Sequence, residues 1–371
     1  MKPVLIDFSF DLLPELTTPE EALCTHAAGF GYAKYLWKKF RVIIIEQIKN
    51  EGDIDCDHVR YHFFNTKGSI ARFFNNYRHF IKRNRPDIIL IQGLIFPLEI
   101  ILLRFISDKH IVFIAQHHGE EPGKGIKKIL QKAADLCINA YLFTSLDNAQ
   151  SWVNKRIIKG YHKCFEVLEG STSFEKQDRD QSRARLNMQG HHNFLWVGRL
   201  NANKDPLTVL AAFEDYLNIC AEAKLFMIFQ EETLLPELKF ILASNEALSQ
   251  AVSFIGKIAH EELPFWYSAA DFYISGSHRE GSGFALLEAM ACGCIPVVTN
   301  IPSFRKITDN GKYGFLYEPG NAHALSATLQ TLNKINRKKV SEDIIQYFVE
   351  TLSFKSIADR LSSVCEKLIS K

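Results

Sequence analysis

Hydrophobic positions along the chain come in short, nearly unbroken runs. Val4–Ser9 (VLIDFS), Arg41–Gln47 (RVIIIEQ), Asp87–Gln92 (DIILIQ), His110–Gln116 (HIVFIAQ) and Ala140–Ser145 (AYLFTS) lack strict alternation, as expected of parallel strands buried on both faces. Between several of them lie amphipathic runs, such as Ala28–Phe40 (AGFGYAKYLWKKF) and Ser69–Arg83 (SIARFFNNYRHFIKR), that predict helices. Strand alternating with helix is the βαβ pattern of an open doubly wound sheet.

The pattern pauses at Glu169–His192, which is polar, charged and without apolar period. It reads as an interdomain linker with a short helix near Arg183–Leu186. The pattern then restarts. Asn193–Gly198 (NFLWVG), Ala223–Gln230 (AKLFMIFQ), Val252–Gly256 (VSFIG), Asp271–Ser277 (DFYISGS) and Ile295–Asn300 (IPVVTN) predict strands. Asp205–Cys220 and Pro236–Asn245 predict helices, the first with Asp205 as N-cap and Pro206 at its first position. The expected fold is α/β: two Rossmann-like, doubly wound parallel-sheet domains facing across a cleft, residues 1–170 and 171–350, with a final helix in 351–371. Ligands of such sheets bind outside the carboxyl ends of the strands.

Composition narrows the class. At 371 residues and 47% hydrophobic content the chain can fill two cores, so disordered and fibrous classes are excluded. A net charge of +2 gives no global attraction to nucleic acid, and none is expected as a partner. Of eight cysteines only Cys292 and Cys294 are close in sequence, and no Cys/His grouping has zinc spacing. They read as buried free thiols of a reducing cytoplasm. The first residues, MKPVLIDFSF, resemble a strand rather than a signal peptide. The run Ile88–Ile106 contains Gly93, Pro97, Glu99 and Arg104, so strand, turn and helix describe it better than a membrane span.

The candidate chemistry sits in His278–Val298 (HREGSGFALLEAMACGCIPVV). A strand at Asp271–Ser275 leads into a tight loop, Gly276–Ser282, and a helix from about Gly283 to Ala291, stopped by Gly293. Small residues Gly281, Ser282 and Gly283 leave backbone N–H groups free at the helix start, a site for phosphate. Glu280 precedes it. Glu288 follows Gly283 by about 7.5 Å along the helix axis, and its side chain leans back toward the start. Carboxylates repel phosphate but accept hydrogen bonds from hydroxyls, so the fitting occupant has hydroxyl-rich groups on both sides of a diphosphate: a nucleoside diphosphate sugar. The loop VGRLNANKDP supplies Arg199 and Lys204 to neutralise the diphosphate.

VGRL with a lysine five residues after the arginine, followed by EGSGFALLEAMACGCIPVV and YGFLYEPGNAHALSATL, resembles the retaining glycosyltransferases of family 4, whose fold is GT-B. The resemblance implies that Arg199 and Lys204 bind the donor diphosphate, that Glu280 holds donor sugar hydroxyls and that Glu288 holds the ribose. It implies a phosphate cradle from the backbone at Ser282, Gly283 and Phe284, with Gly281 also donor-binding, and nucleobase contact at Phe254–Ile258, where Lys257 and Ile258 bind the donor. Ser282 departs from the pattern, which commonly has an aromatic residue there. In the first domain a histidine after a strand faces the donor sugar, either His117 or His118, with His118 favoured. The first βα loop carries Gly29 and Gly31, split by Phe30, where the family has adjacent glycines that approach the donor phosphates. The last helix of such chains often returns to the first domain.

The implied function is transfer of a sugar from a nucleotide-diphosphate sugar, a UDP-sugar first, to an acceptor hydroxyl with retention. Attack comes from the front face, and the leaving phosphate helps deprotonate the acceptor. No metal or cofactor is expected, since Arg199, Lys204 and the helix start carry the leaving-group charge and no Asp-x-Asp stands in place. The acceptor is expected to be carbohydrate or lipid-linked, in surface polysaccharide or glycolipid synthesis. The alternative is a non-catalytic nucleotide-sugar-binding protein of the same fold. Arg72, Arg78, Lys82, Arg83 and Arg85 among Phe73, Phe74, Tyr77 and Phe80 form either an amphipathic helix with a basic outer face or a peripheral contact with an anionic membrane at its inner, cytoplasmic face.

Overall fold

A computed structural model describes residues 2–13, 16, 18–25, 27–65 and 70–370. The chain divides into two compact units, 1–171 with 354–371, and 172–353.

Unit 1 is built on an eight-stranded sheet. Its strands are β1 (Val4–Leu13), β2 (Arg41–Ile48), β3 (Gly52–Cys56), β4 (Val59–Phe64), β5 (Ile88–Gln92), β6 (Val112–Gln116), β7 (Ala140–Phe143) and β8 (Cys164–Glu166). The order is β3-β4-β2-β1-β5-β6-β7-β8. All neighbours are parallel except β3 and β4. The unbroken apolar runs are the central strands, buried on both faces; Ile6, Phe8, Ile43, Ile89, Ile91 and Phe113 join one core. Asp7 interrupts that core midway along β1, level with Ile44 of β2 and Leu90 of β5.

One reading of this half needs correction, and one strand lies outside the apolar runs. The polar stretch Asp53–Asp57 is largely strand. Asp57 and His58, both at positive φ (51° and 66°), turn the chain, and β3 pairs antiparallel with β4 at the sheet edge. An edge strand open to water carries no apolar run to announce it: Asp53 meets His62, and Asp55 meets Arg60 at 2.8 Å. The Ala28–Phe40 run is not one helix but two short ones, Ala27–Phe30 and Ala33–Leu36. Gly31, at the break, lies against the Phe354 ring, which a Cβ would strike. Tyr32 is buried there and hydrogen-bonds Asp7. Phe354 opens the terminal helix, Phe354–Ile369, whose Ile357, Leu361 and Cys365 are buried in unit 1.

Unit 2 has a six-stranded, wholly parallel sheet: β9 (Asn193–Gly198), β10 (Lys224–Phe229), β11 (Val252–Gly256), β12 (Phe272–Ser275), β13 (Ile295–Thr299) and β14 (Phe315–Tyr317), in the order β11-β10-β9-β12-β13-β14. The chain winds outward from β9 through β10 to β11, then returns to place β12 on the other side of β9. The switch point of the sheet is therefore the crevice between the loops after β9 and β12.

The expected linker is mostly part of this unit. Its helix is Arg179–Leu186, capped by Asp178, whose carboxylate accepts from Gln181 N at 2.8 Å. The reason lies in charge rather than apolar period: Arg179, Arg183 and Arg337 all converge on the buried carboxylate of Asp271 at the foot of β12. A buried carboxylate needs such partners.

Candidate active site

The helix after β12 runs Phe284–Ala291, with Gly283 as N-cap at φ +62°. That conformation suits glycine, and a Cβ there would strike the Phe304 ring. The first N–H groups of the helix have no acceptor within it, so they present partial positive charge outward. Ser282 is buried under this turn, while Gly281 and Phe284 are half-buried.

The loop after β9 is tied to the loop after β12. His278 N donates to Asn203 O at 2.8 Å, Asn203 Nδ2 donates to Arg279 O at 3.1 Å, and His278 pairs with Asp205 at 3.1 Å. Gly276 passes so close that a Cβ would meet the Asp205 carbonyl. These ties bring Lys204 and Glu280 into a half-buried ion pair. Arg199 is in the same loop as Lys204, directly after β9. Its side chain is exposed and, among the described residues, in no ion pair.

Glu288 is only 6% exposed, and both of its carboxylate oxygens are held. His260 Nε2 reaches Oε1 at 3.0 Å and Tyr267 OH donates to Oε2 at 3.0 Å. The hydrogen bond to Glu288 raises His260 above the ordinary imidazole range, against the pull of partial burial. Burial, with Glu288 beside it, raises Tyr267 well above its usual value, so it stays a donor. Lys257 and Ile258 follow β11 directly, the lysine exposed and the isoleucine half-buried, in the same loop that carries His260. Arg199, Lys204, Glu280, the helix start, Glu288 and Lys257–Ile258 thus all lie at the carboxyl end of the unit 2 sheet.

In unit 1 the two adjacent histidines differ. His117 is 4% exposed. Its Nε2 donates to Glu120 O at 3.0 Å and its Nδ1 accepts from Gly119 N at 3.2 Å, which fixes a neutral ring as a loop pin. Burial lowers its pKa. His118 gives Nδ1 to the Glu169 carboxylate and Nε2 to Gln92 Oε1 at 2.9 Å. Gln92 Nε2 is committed to Asp7 Oδ1 at 2.6 Å, so its oxygen can only accept. Both His118 nitrogens therefore donate, and the ring is an imidazolium. Burial opposes that charge, but Glu169, Glu120 and Asp7 outweigh it and raise the pKa. Asp7, at the end of this chain, is pushed up to about 6 by burial, against the Tyr32 and Gln92 hydrogen bonds.

Gly29 faces open space, whereas Gly31 is occupied by its packing on Phe354. Among the described residues no group of three or more His, Cys, Asp or Glu is placed to hold a metal ion. His260, Tyr267, Asp7, Tyr32, Gln92 and Glu169 were not singled out by the sequence reading. Only Asp7 left a signal, as a charge inside an apolar run.

Residues 178–348 match the family model described as glycosyl transferases group 1. The matched stretch lies within unit 2 and includes all of the unit 2 positions above. The chain is 29% identical over 179 residues to the alpha-monoglucosyldiacylglycerol synthase of Streptococcus pneumoniae, a match covering 47% of this chain and 40% of that protein. This match thus spans less than half the length of that relative. Among solved structures, a glycosyltransferase from Rickettsia africae superposes with a TM-score of 0.75 at 15% identity over 100% of this chain and 99% of the other. HepE from Anabaena, solved with UDP-glucose, gives 0.71 at 14% identity over 98% and 99%. The fold is GT-B, with two parallel-sheet α/β domains.

Proposed function

We propose that the chain is a retaining glycosyltransferase that moves a sugar from a nucleotide-diphosphate sugar, a UDP-sugar first, to an acceptor hydroxyl of a carbohydrate or lipid-linked molecule, in surface polysaccharide or glycolipid synthesis. The observation that carries the proposal is the Lys204–Glu280 pair, which joins the loop after β9 to the loop that leads into the glycine-capped helix start at the unit 2 switch point, with Arg199 exposed in the same β9 loop. The HepE complex with UDP-glucose and the glycolipid named by the pneumococcal relative support the choice of donor and acceptor class.

In this reading the diphosphate rests on the N–H groups of Ser282, Gly283 and Phe284, with Arg199 beside it. Lys204 moves from Glu280 to phosphate, and Glu280 turns to a sugar hydroxyl. The ribose donates to Glu288, which His260 and Tyr267 hold in place, and the nucleobase lies by Lys257 and Ile258. The anomeric C–O bond breaks and its electron pair goes to the phosphate oxygen. The acceptor oxygen attacks from the same face, and its proton passes to the departing phosphate. Protein cations carry the developing charge, with no metal in the step. In unit 1 the reading gives the donor sugar to His118, which would exchange Gln92 for a sugar oxygen.

The test is turnover with an α-linked UDP-sugar, followed by NMR of the first anomer formed. An α-product is expected, with turnover reduced about 100-fold or more in Arg199→Ala and in Lys204→Ala. A β-product contradicts retention. Normal rates in both variants contradict the phosphate assignment, and tight nucleotide binding without turnover supports a binding protein instead.

A further inference from the structure

Two neighbouring helices of unit 1 turn apolar side chains to water. Pro97–Ile106 and Gly125–Asp135 connect β5 to β6 and β6 to β7, and they pack side by side on one face of the sheet. A surface helix ordinarily points its polar stripe outward. In Gly125–Asp135 the inward positions are Gln131, Ala134 and Asp135. The outward row, spaced three, four and three residues apart, is Ile126, Ile129, Ala133 and Leu136. Ile126 is 77% exposed, Ile129 66% and Leu136 83%. The adjoining helix adds Leu98 at 50% and Phe105 at 87%. An apolar row of this size on a folded surface marks a contact.

The charge around the row says what the contact is. Lys124, Lys127, Lys128 and Lys132 flank it, and among the described residues none of the four is in an ion pair. The one acidic residue of the helix, Asp135, faces inward to Lys163 and Tyr141. A second copy docked about a two-fold axis would set these lysines against their own images. A surface of anionic headgroups over acyl chains satisfies both the lysines and the apolar row. We propose that the outward face of the Gly125–Asp135 helix, with Leu98 and Phe105 beside it, docks unit 1 on an anionic lipid bilayer. This is a different helix from the basic Ile70–Asn84 segment, whose Arg72, Phe73 and Phe74 side chains lie outside the described set. The proposal stands apart from the transferase reading, since docking is measured without turnover.

The experiment is flotation of the full chain with vesicles of phosphatidylcholine mixed with phosphatidylglycerol, and with phosphatidylcholine alone. Flotation is expected with the mixed vesicles only, and release in high salt. The double substitutions Ile126→Ser with Ile129→Ser, and Lys128→Glu with Lys132→Glu, are each expected to lower partitioning at least tenfold. Phe240→Ser, at an exposed position of unit 2, should float as the unaltered protein does. Equal melting temperatures establish that the variants fold. No flotation of the unaltered protein, equal flotation on neutral vesicles, or undiminished flotation of either double variant overturns the proposal. So does a dimer in solution that the serine variant dissolves while vesicle binding is absent.

Discussion

His117 and His118 are neighbours in the chain with opposite chemistry, and the difference lies in what each nitrogen meets. His117 has a carbonyl on one side and an N–H on the other, so it is neutral. His118 has a carboxylate and a committed amide oxygen, so it is charged. In an NMR titration His118 and His260 should have midpoints above the ordinary value of about 6.5 and His117 a midpoint below it. The reverse order would contradict the hydrogen-bond assignment. The sign for stability follows. A histidine raised in the folded state contributes stability that is full below its unfolded value and is lost as pH rises through its folded one. Glu169→Gln should lower the His118 midpoint and flatten the melting-temperature profile above about pH 6.5. An unchanged profile would remove Glu169 from that role. Of the positions proposed to hold the donor, Glu288 stood out in the sequence as a charge inside an apolar helix, and Arg199, Lys204 and Glu280 by their places in the loops before and beside it. Their partners did not, because His260 and Tyr267 approach Glu288 from a distant loop and helix.

At the scale of elements, the helix Phe284–Ala291 is fixed at both ends by glycine. Gly283 opens it, and Gly293, at φ +73°, closes it: Gly293 N donates to Met290 O at 3.1 Å and Cys294 N to Ala289 O at 2.9 Å. This is the double hydrogen bond of a Schellman ending. A Cβ on Gly293 would strike Ser341 and Ile345 of the next layer. Gly293→Ala should therefore cost about 1–3 kcal/mol from overpacking, with further strain from the positive φ. Chemical denaturation measures it, and wild-type stability would contradict this packing. The stop at Gly293 was legible because a glycine after an apolar run has few other uses. The central strands were legible for a similar reason, since a parallel strand buried on both faces must be apolar throughout. β3, β8 and β14 were not. The first is an edge strand largely in water, and the other two have only three residues each.

At the scale of the molecule, the chain crosses between its units twice, at 171–172 and at 353–354, so unit 1 is completed by the end of the sequence. Periodicity could reveal two doubly wound sheets but not strand order, and strand order decides the site. Only the return of the chain from β11 to β12 places the Arg199 loop against the Glu280 loop. A ligand held there should stabilise the folded protein by about 2.7 kcal/mol at 100 times its dissociation constant.

Calorimetric titration of UDP, GDP and ADP into the unaltered protein and into Lys204→Ala, without added metal, tests the central claim most directly. One of the three should bind, binding should weaken at least tenfold in Lys204→Ala, and the variant should melt no earlier than the unaltered protein. Binding that is absent for all three, or equally tight in the variant, would contradict a diphosphate site at the unit 2 switch point.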